Sequence, residues 1–239
     1  METSGSGAPI YRHKPKESET FTPPSGDSRL EEITAHIEKY VGKIDMVWHE
    51  IISEHVHIDI HVVNPTQEKP FYTLVTSGMS DLPMNVPERC EKLRYAELCL
   101  SLPSTWQMGH EPFKDENNYW PLRWLKILSR FPHQFDTWLC HGHTVPNGDP
   151  AEPFVAGTSL NTMMLLQPVL HDEQFATLEL EDKVIHFYSL IPLYTEEVNL
   201  KLDKGVDALY DGFDRIGLTE LLDIQRPNSV KKKKFWGLF

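Results

Sequence analysis

Hydrophobic and polar positions change their period several times along this chain. Leu30, Ile33, Ile37 and Val41 recur at helical spacing, Ser28 stands three residues before Glu31 as in a capping box, and Gly42 suits a stop, so the pattern predicts a helix over 30–41. A first strand follows at 47–52. From His57 the period becomes two: Ile58, Ile60 and Val62 alternate with His57, Asp59 and His61, the pattern of a strand with one face buried and a polar face available. Pro65 and Pro70 interrupt it, and strands resume at 71–76 and 95–102, where Ala96, Leu98 and Leu100 alternate with Glu97, Cys99 and Ser101. Short connections between these four strands favour antiparallel pairing.

The signal turns helical again after Asp115. Trp120, Trp124, Leu128 and Phe131 share a face, Asn117 or Asn118 can cap, Pro121 suits a first turn and Pro132 a stop, with a second short helical piece over 133–140. Residues 141–153 read as a long loop rich in turn formers. Strands are expected at 162–167, 175–180 and 184–192, the last two joined as a hairpin across Glu181, Asp182 and Lys183. Met163 to Leu166 have no polar face, which argues for a central strand. A last helix, capped by Thr195 and ended by Gly217, sets Val198, Leu202, Val206, Leu209, Phe213 and Ile216 against Asp203, Asp207, Asp211 and Asp214. The expected fold is α+β: one compact domain over 28–224, a mixed and mostly antiparallel sheet covered by amphipathic helices. Residues 1–27, poor in large apolar side chains, are expected to be a disordered arm, and 225–239 a basic and aromatic tail.

Three blocks, FYTLVTSGMSDLPMNVPE from Phe71, YAELCLSLPSTW from Tyr95 and HTVPNGDPAEPF from His143, resemble the suppressor of fused family in the same order. The resemblance covers roughly residues 30 to 215. It implies a non-enzymatic binding protein. Animal members restrain a zinc-finger transcription factor of the Hedgehog pathway by gripping a short peptide between two lobes, and this chain resembles the first lobe. Bacterial single-lobe relatives are proposed to be immunity proteins that neutralise toxin domains.

Charge narrows the partner class. Lys and Arg number 23 against 35 Asp and Glu, a formal net charge of −12, so the surface repels nucleic acid and suits a basic protein partner. Cys90, Cys99 and Cys140 form no disulfide framework, and with no secretory start the expected location is the reducing cytoplasm. The tail KKKKFWGLF, from Lys231 to Phe239, opposes the general charge and could touch an anionic membrane surface, although a solvated tail is the simpler reading.

Candidate chemistry is sparse. His57, Asp59 and His61 stand about 7 Å apart on one strand face, so their side chains could converge on a metal with a further donor from His55, Cys140, His141 or His143. A metal-dependent hydrolase is therefore one alternative, and a membrane-peripheral adaptor another. Neither HExxH nor paired CxxC accompanies the histidines, Cys140 sits among packing residues, and TSGMS is not the GxSxG elbow. No nucleotide cradle is visible, and no cofactor or metal is expected. The partner surface expected from sequence combines His57, Asp59 and His61 with two loops: Ser77, Gly78, Met79, Ser80 and Asp81, and His143, Pro146, Asn147, Gly148 and Asp149.

Overall fold

Both faces of one twisted sheet are covered, and this decides which polar residues reach solvent. The computed structural model describes residues 2–14, 29–49 and 56–230. A small hairpin of β1 (Glu2–Thr3) and β2 (Pro9–Ile10) comes first, then α1 (Leu30–Tyr40). β3 (Met46–Trp48), β4 (Asp59–Val63), β5 (Phe71–Ser77) and β6 (Tyr95–Pro103) form the expected antiparallel meander. α2 (Glu116–Phe135), β7 (Thr144–Pro146), β8 (Leu160–Leu166), β9 (Thr177–Glu179) and β10 (Val184–Tyr194) follow, and α3 (Thr195–Lys204) and α4 (Val206–Ile216) close the order. The strands run β3-β4-β5-β6-β10-β8-β7, with β9 also on β10. The β6–β10 pair is parallel and its neighbours antiparallel, so the sheet is mixed and mostly antiparallel in an α+β fold.

Strand alternation sorts the core. Ile58, Ile60, Val62, Leu74, Leu98, Leu100, Met163, Leu165 and Leu190 face α2, whose Trp120, Leu125 and Leu128 are completely buried against them. The odd-numbered residues of β4, β5, β6 and β10 face the other way. There Val63, Val75, Cys99, Ile185 and Phe187 pack under Ile33 and Ile37 of α1, while Ile191 and Leu193 pack under Leu209 and Phe213 of α4. Each such side chain, fully buried, contributes about 1.5–3 kcal/mol of hydrophobic stabilisation.

Several expectations are corrected by this packing. The polar face of β4 is not available: Asp59 and His61 are 7% and 2% exposed, because they lie on the side that α1 covers. Asp115 rather than an asparagine caps α2, its Oδ1 accepting from Asn117 N at 2.9 Å, so Pro121 lies beyond the first turn. Pro132 does not stop the helix. It falls in the last turn, where Asp136 in the left-handed region ends α2, and no helical piece covers 136–140. Residues 141–153 contain β7, which pairs with β8; β8 therefore lies between β10 and the edge, and β6 and β10 take the centre. The last helix is two, broken at Gly205 (φ 91°), and Thr195 begins α3 rather than capping it, accepting instead from Asn161 Nδ2 at 2.7 Å. The strand expected at 175–180 is β9 preceded by a 3-10 turn at Glu173–Ala176.

Residues 2–14 and 225–230 are more ordered than their composition suggests. Residues 2–14 make the β1–β2 hairpin and lie against the fold, with Ser6 N donating to Leu202 O at 2.9 Å. At the C-terminal side, Arg226 is 4% exposed and Ser229 1%, so the basic tail does not begin at 225. The Arg226 guanidinium pairs with both oxygens of Glu197 and donates to Pro192 O at 2.8 Å, and Ser229 N and Oγ donate to Glu197 Oε1 at 2.9 and 2.8 Å. These bonds hold the Glu197 carboxyl below its ordinary range despite burial. The Ser28 cap, the 50–52 portion of the first strand, His55 and the tail from Lys231 lie outside the described residues. Among the described residues, no helix is long and apolar enough to cross a membrane.

Candidate functional site

β4 and β5 bring the first half of the expected surface together. Their register sets Asp59 opposite Ser77 and His61 opposite Val75, so the Ser77–Asp81 loop turns over the end of the sheet beside the histidine strand. His61 Nε2 lies 2.9 Å from Ser77 Oγ. Asp59 accepts from two imidazoles, His49 Nδ1 and His57 Nε2, each at 3.0 Å. Burial lowers the His61 pKa, which keeps that ring neutral. Asp81 is pushed above its ordinary carboxylate range, again by burial first.

The organising group of this loop is Glu97, which sequence reasoning passed over. Thr76 Oγ1, Ser80 N and Ser80 Oγ donate to its fully buried carboxyl at 2.6, 2.9 and 2.7 Å. Burial outweighs these bonds and pushes Glu97 up to about 7. From above, Lys183 Nζ donates to Ser80 O at 3.0 Å and lies 5.0 Å from the centre of the Tyr95 ring. Gly78 adopts φ +104°, and a Cβ there would sit 1.9 Å from His57 O, so both conformation and space demand glycine. Ser77, Gly78, Met79 and Ser80 are consequently buried and only Asp81 is partly open. The motif builds the end of the sheet, leaving His49 and His57, with side chains 68% and 47% exposed, as its outward imidazoles.

The second half of the expected surface lies elsewhere. β7 is four strands from β5, roughly 19 Å at ordinary strand spacing. Pro146 pairs with Thr162 in the part of β8 that lies toward the opposite end of the sheet from Ser77. The loop is nevertheless rigid. Asn147 Nδ2 donates to Glu152 O and Pro153 O at 2.8 and 3.1 Å, and its backbone bonds to Asn161 O and Glu152 N. Pro146, Gly148 and Asp149 project from it into solvent. His143 is turned inward, its ring 4.6 Å from that of Trp138, and burial lowers its pKa to about 4.

The described histidines and Cys140 are engaged within the fold. His57 and His49 direct ring nitrogens at the two oxygens of one carboxylate, and among the described residues no group of three or more His, Cys, Asp or Glu is arranged to hold a metal. Burial pushes the Cys140 thiol up to about 12, an environment that disfavours the thiolate. His141 is also committed: its Nδ1 accepts from Gln167 N at 3.0 Å, so its Nε2–H donates to Tyr210 Oη at 2.7 Å.

The profile of the suppressor of fused protein family (SUFU) matches residues 54–227, most of the chain. The chain belongs to this family. Among solved structures it is similar to a SUFU homologue from Neisseria gonorrhoeae, with 18% identity and a TM-score of 0.56 over 84% of this chain and 97% of that one. It is also similar to a chain of the Sufu–Fu complex, with 13% identity and a TM-score of 0.59 over 87% of this chain and 93% of that one. At these identities the likeness establishes the fold. No curated protein sequence matches the chain.

Within the family fold, the matched blocks acquire distinct jobs. FYTLVTSGMSD and YAELCLSLPSTW meet through Thr76, Ser80 and Glu97, so these two motifs are one structural unit. A sequence signal for Glu97 existed: it is the one charged side chain between Ala96 and Leu102. Arg226 carried no such signal, since its partner Glu197 is 29 residues away and reads as a helix-start acid.

Proposed function

We propose that this chain binds and sequesters another protein, without catalysis, through exposed loops held on a rigid sheet. The observation that carries the reading is the Pro146–Asp149 loop, pinned from within by Asn147 and open to solvent at Pro146, Gly148 and Asp149. Preformed loops on a sheet lose little entropy on binding and so make efficient recognition elements. The buried serines, histidines and Glu97 satisfy one another and shape the other end of the fold. A solved relative of the same fold is a component of a protein complex, the Sufu–Fu complex, which favours a protein as the partner class.

The net charge of −12 favours a basic partner, and a toxin domain held inactive by an immunity protein fits that description. A cytoplasmic location follows from the same reading. The test is quantitative capture of the partner from the source cell with the native chain and with Asp149→Lys. Capture of a basic protein that the charge reversal weakens at least tenfold supports the reading. Stoichiometric metal together with turnover of a small substrate would replace it with an enzymatic one.

A further inference from the structure

Ile127, Phe131 and Phe135 follow at four-residue intervals and line one outward side of α2. Ile127 is 38% exposed and the two phenylalanine rings are half-buried. The chain's own N-terminal segment lies on them. The His13 ring stands edge-on to Phe131 at 5.3 Å and tilted to Phe135 at 5.9 Å, with Tyr11 stacked beyond it. One residue earlier, Arg12 donates to Asp149 Oδ2 at 3.2 Å and to Glu2 Oε2 at 3.0 Å.

The fit has a chemical logic. In an acidic chain, Arg12-His13-Lys14 is a basic island, and its Arg12 and His13 are seated against an acidic loop and an aromatic strip. Its attachment is weak. The β1 and β2 strands are two residues each with no fully buried side chain, below what a hairpin needs for independent stability. The Arg12–Asp149 pair joins side chains that are 68% and 86% exposed, a setting in which ion pairs add little.

We propose that the strip formed by Phe131, Phe135 and Asp149 is a docking surface for an extended basic segment of a protein partner, one carrying an aromatic or imidazole ring beside an arginine or lysine. Residues 11–14 occupy it as an internal mimic until such a segment displaces them. The proposal rests on the protein-binding reading and deepens it by naming the chemistry of the partner segment. Because Asp149 belongs to both the loop and the strip, one contact links the two surfaces.

The probe is a fluorescently labelled peptide, PIYRHKPK, copying residues 9–16, measured by anisotropy against the full-length chain and against the full-length Arg12→Glu/His13→Ala variant. The expected result is binding to the variant at least about tenfold tighter than to the native chain, whose own segment competes at high effective concentration. Adding Asp149→Lys to that variant removes the gain. All three altered side chains make their described contacts at the surface, so melting curves should match the native chain. Equal binding to native and variant chains, binding to neither, or indifference to Asp149→Lys overturns the proposal. Those outcomes leave the broader protein-binding reading standing, since the peptide assay does not involve the cellular partner.

Discussion

Glu97→Gln isolates the contribution of one buried carboxyl. Burial raises Glu97 from its ordinary 4.5 to about 7. Between those values the folded chain holds a proton that the unfolded chain has released, so stability falls as pH rises through the window and levels off above it. The interval corresponds to about 3 kcal/mol, or about 6–12 °C in Tm for a domain of this size. Glutamine keeps the shape and an oxygen to accept from Ser80 N and Oγ, while its amide can donate to Thr76 Oγ1. Urea unfolding of native and Glu97→Gln chains from pH 4.5 to 7.5 is the assay. The native curve should lose about 3 kcal/mol more than the variant across the window. Asp81 is raised in the same direction and is present in both chains, and its charge is one of the causes that raise Glu97, so the difference reports Glu97 together with that coupling. Parallel curves would show that the Glu97 carboxyl does not gain its proton on folding.

Gly78→Ala should cost about 3 kcal/mol or more, measured by denaturant midpoint, because a left-handed φ and a contact at 1.9 Å must both be relieved. Arg226→Ala should cost about 3–5 kcal/mol by leaving the Glu197 carboxylate buried and unpaired; Glu197→Gln/Arg226→Met should recover much of that loss. Thiol labelling of the native chain at pH 8 should be slow at Cys99 and Cys140, both pushed up to about 12 by burial, and rapid labelling of either would contradict the packing described.

The meander, α1, α2 and the β9–β10 hairpin were legible because hydrophobic period and turn chemistry are local properties. The accessibility of β4 was not. Strict alternation of Ile58, Ile60 and Val62 with His57, Asp59 and His61 reads as a one-sided strand, yet α1 covers the second side and the polar groups pair internally. Such cover is a long-range property that a two-residue period cannot express. Gly205 was overlooked for a related reason: the apolar stripe from Val198 to Ile216 continues across the break between α3 and α4, since both helices face the same core. The two candidate segments are part strand and part turn, with Ser77 closing β5 and Pro146 closing β7, and only strand order shows that Ser77–Asp81 and Pro146–Asp149 occupy opposite ends of the sheet. The docking of residues 11–13 was invisible in composition, because its contacts are made to Phe131 and Phe135 on α2 and to Asp149 after β7, all far away in the sequence.

Amide hydrogen exchange on the chain with its captured cellular partner, compared with the chain alone, locates the binding surface. Partner binding should slow exchange at Gly148 and Asp149 and leave Ser80 and Leu98, already bonded to the Glu97–Thr76 unit, unchanged. Protection confined to the sheet end around His49 and His57, with the Pro146–Asp149 loop exchanging as in the free protein, would contradict the account.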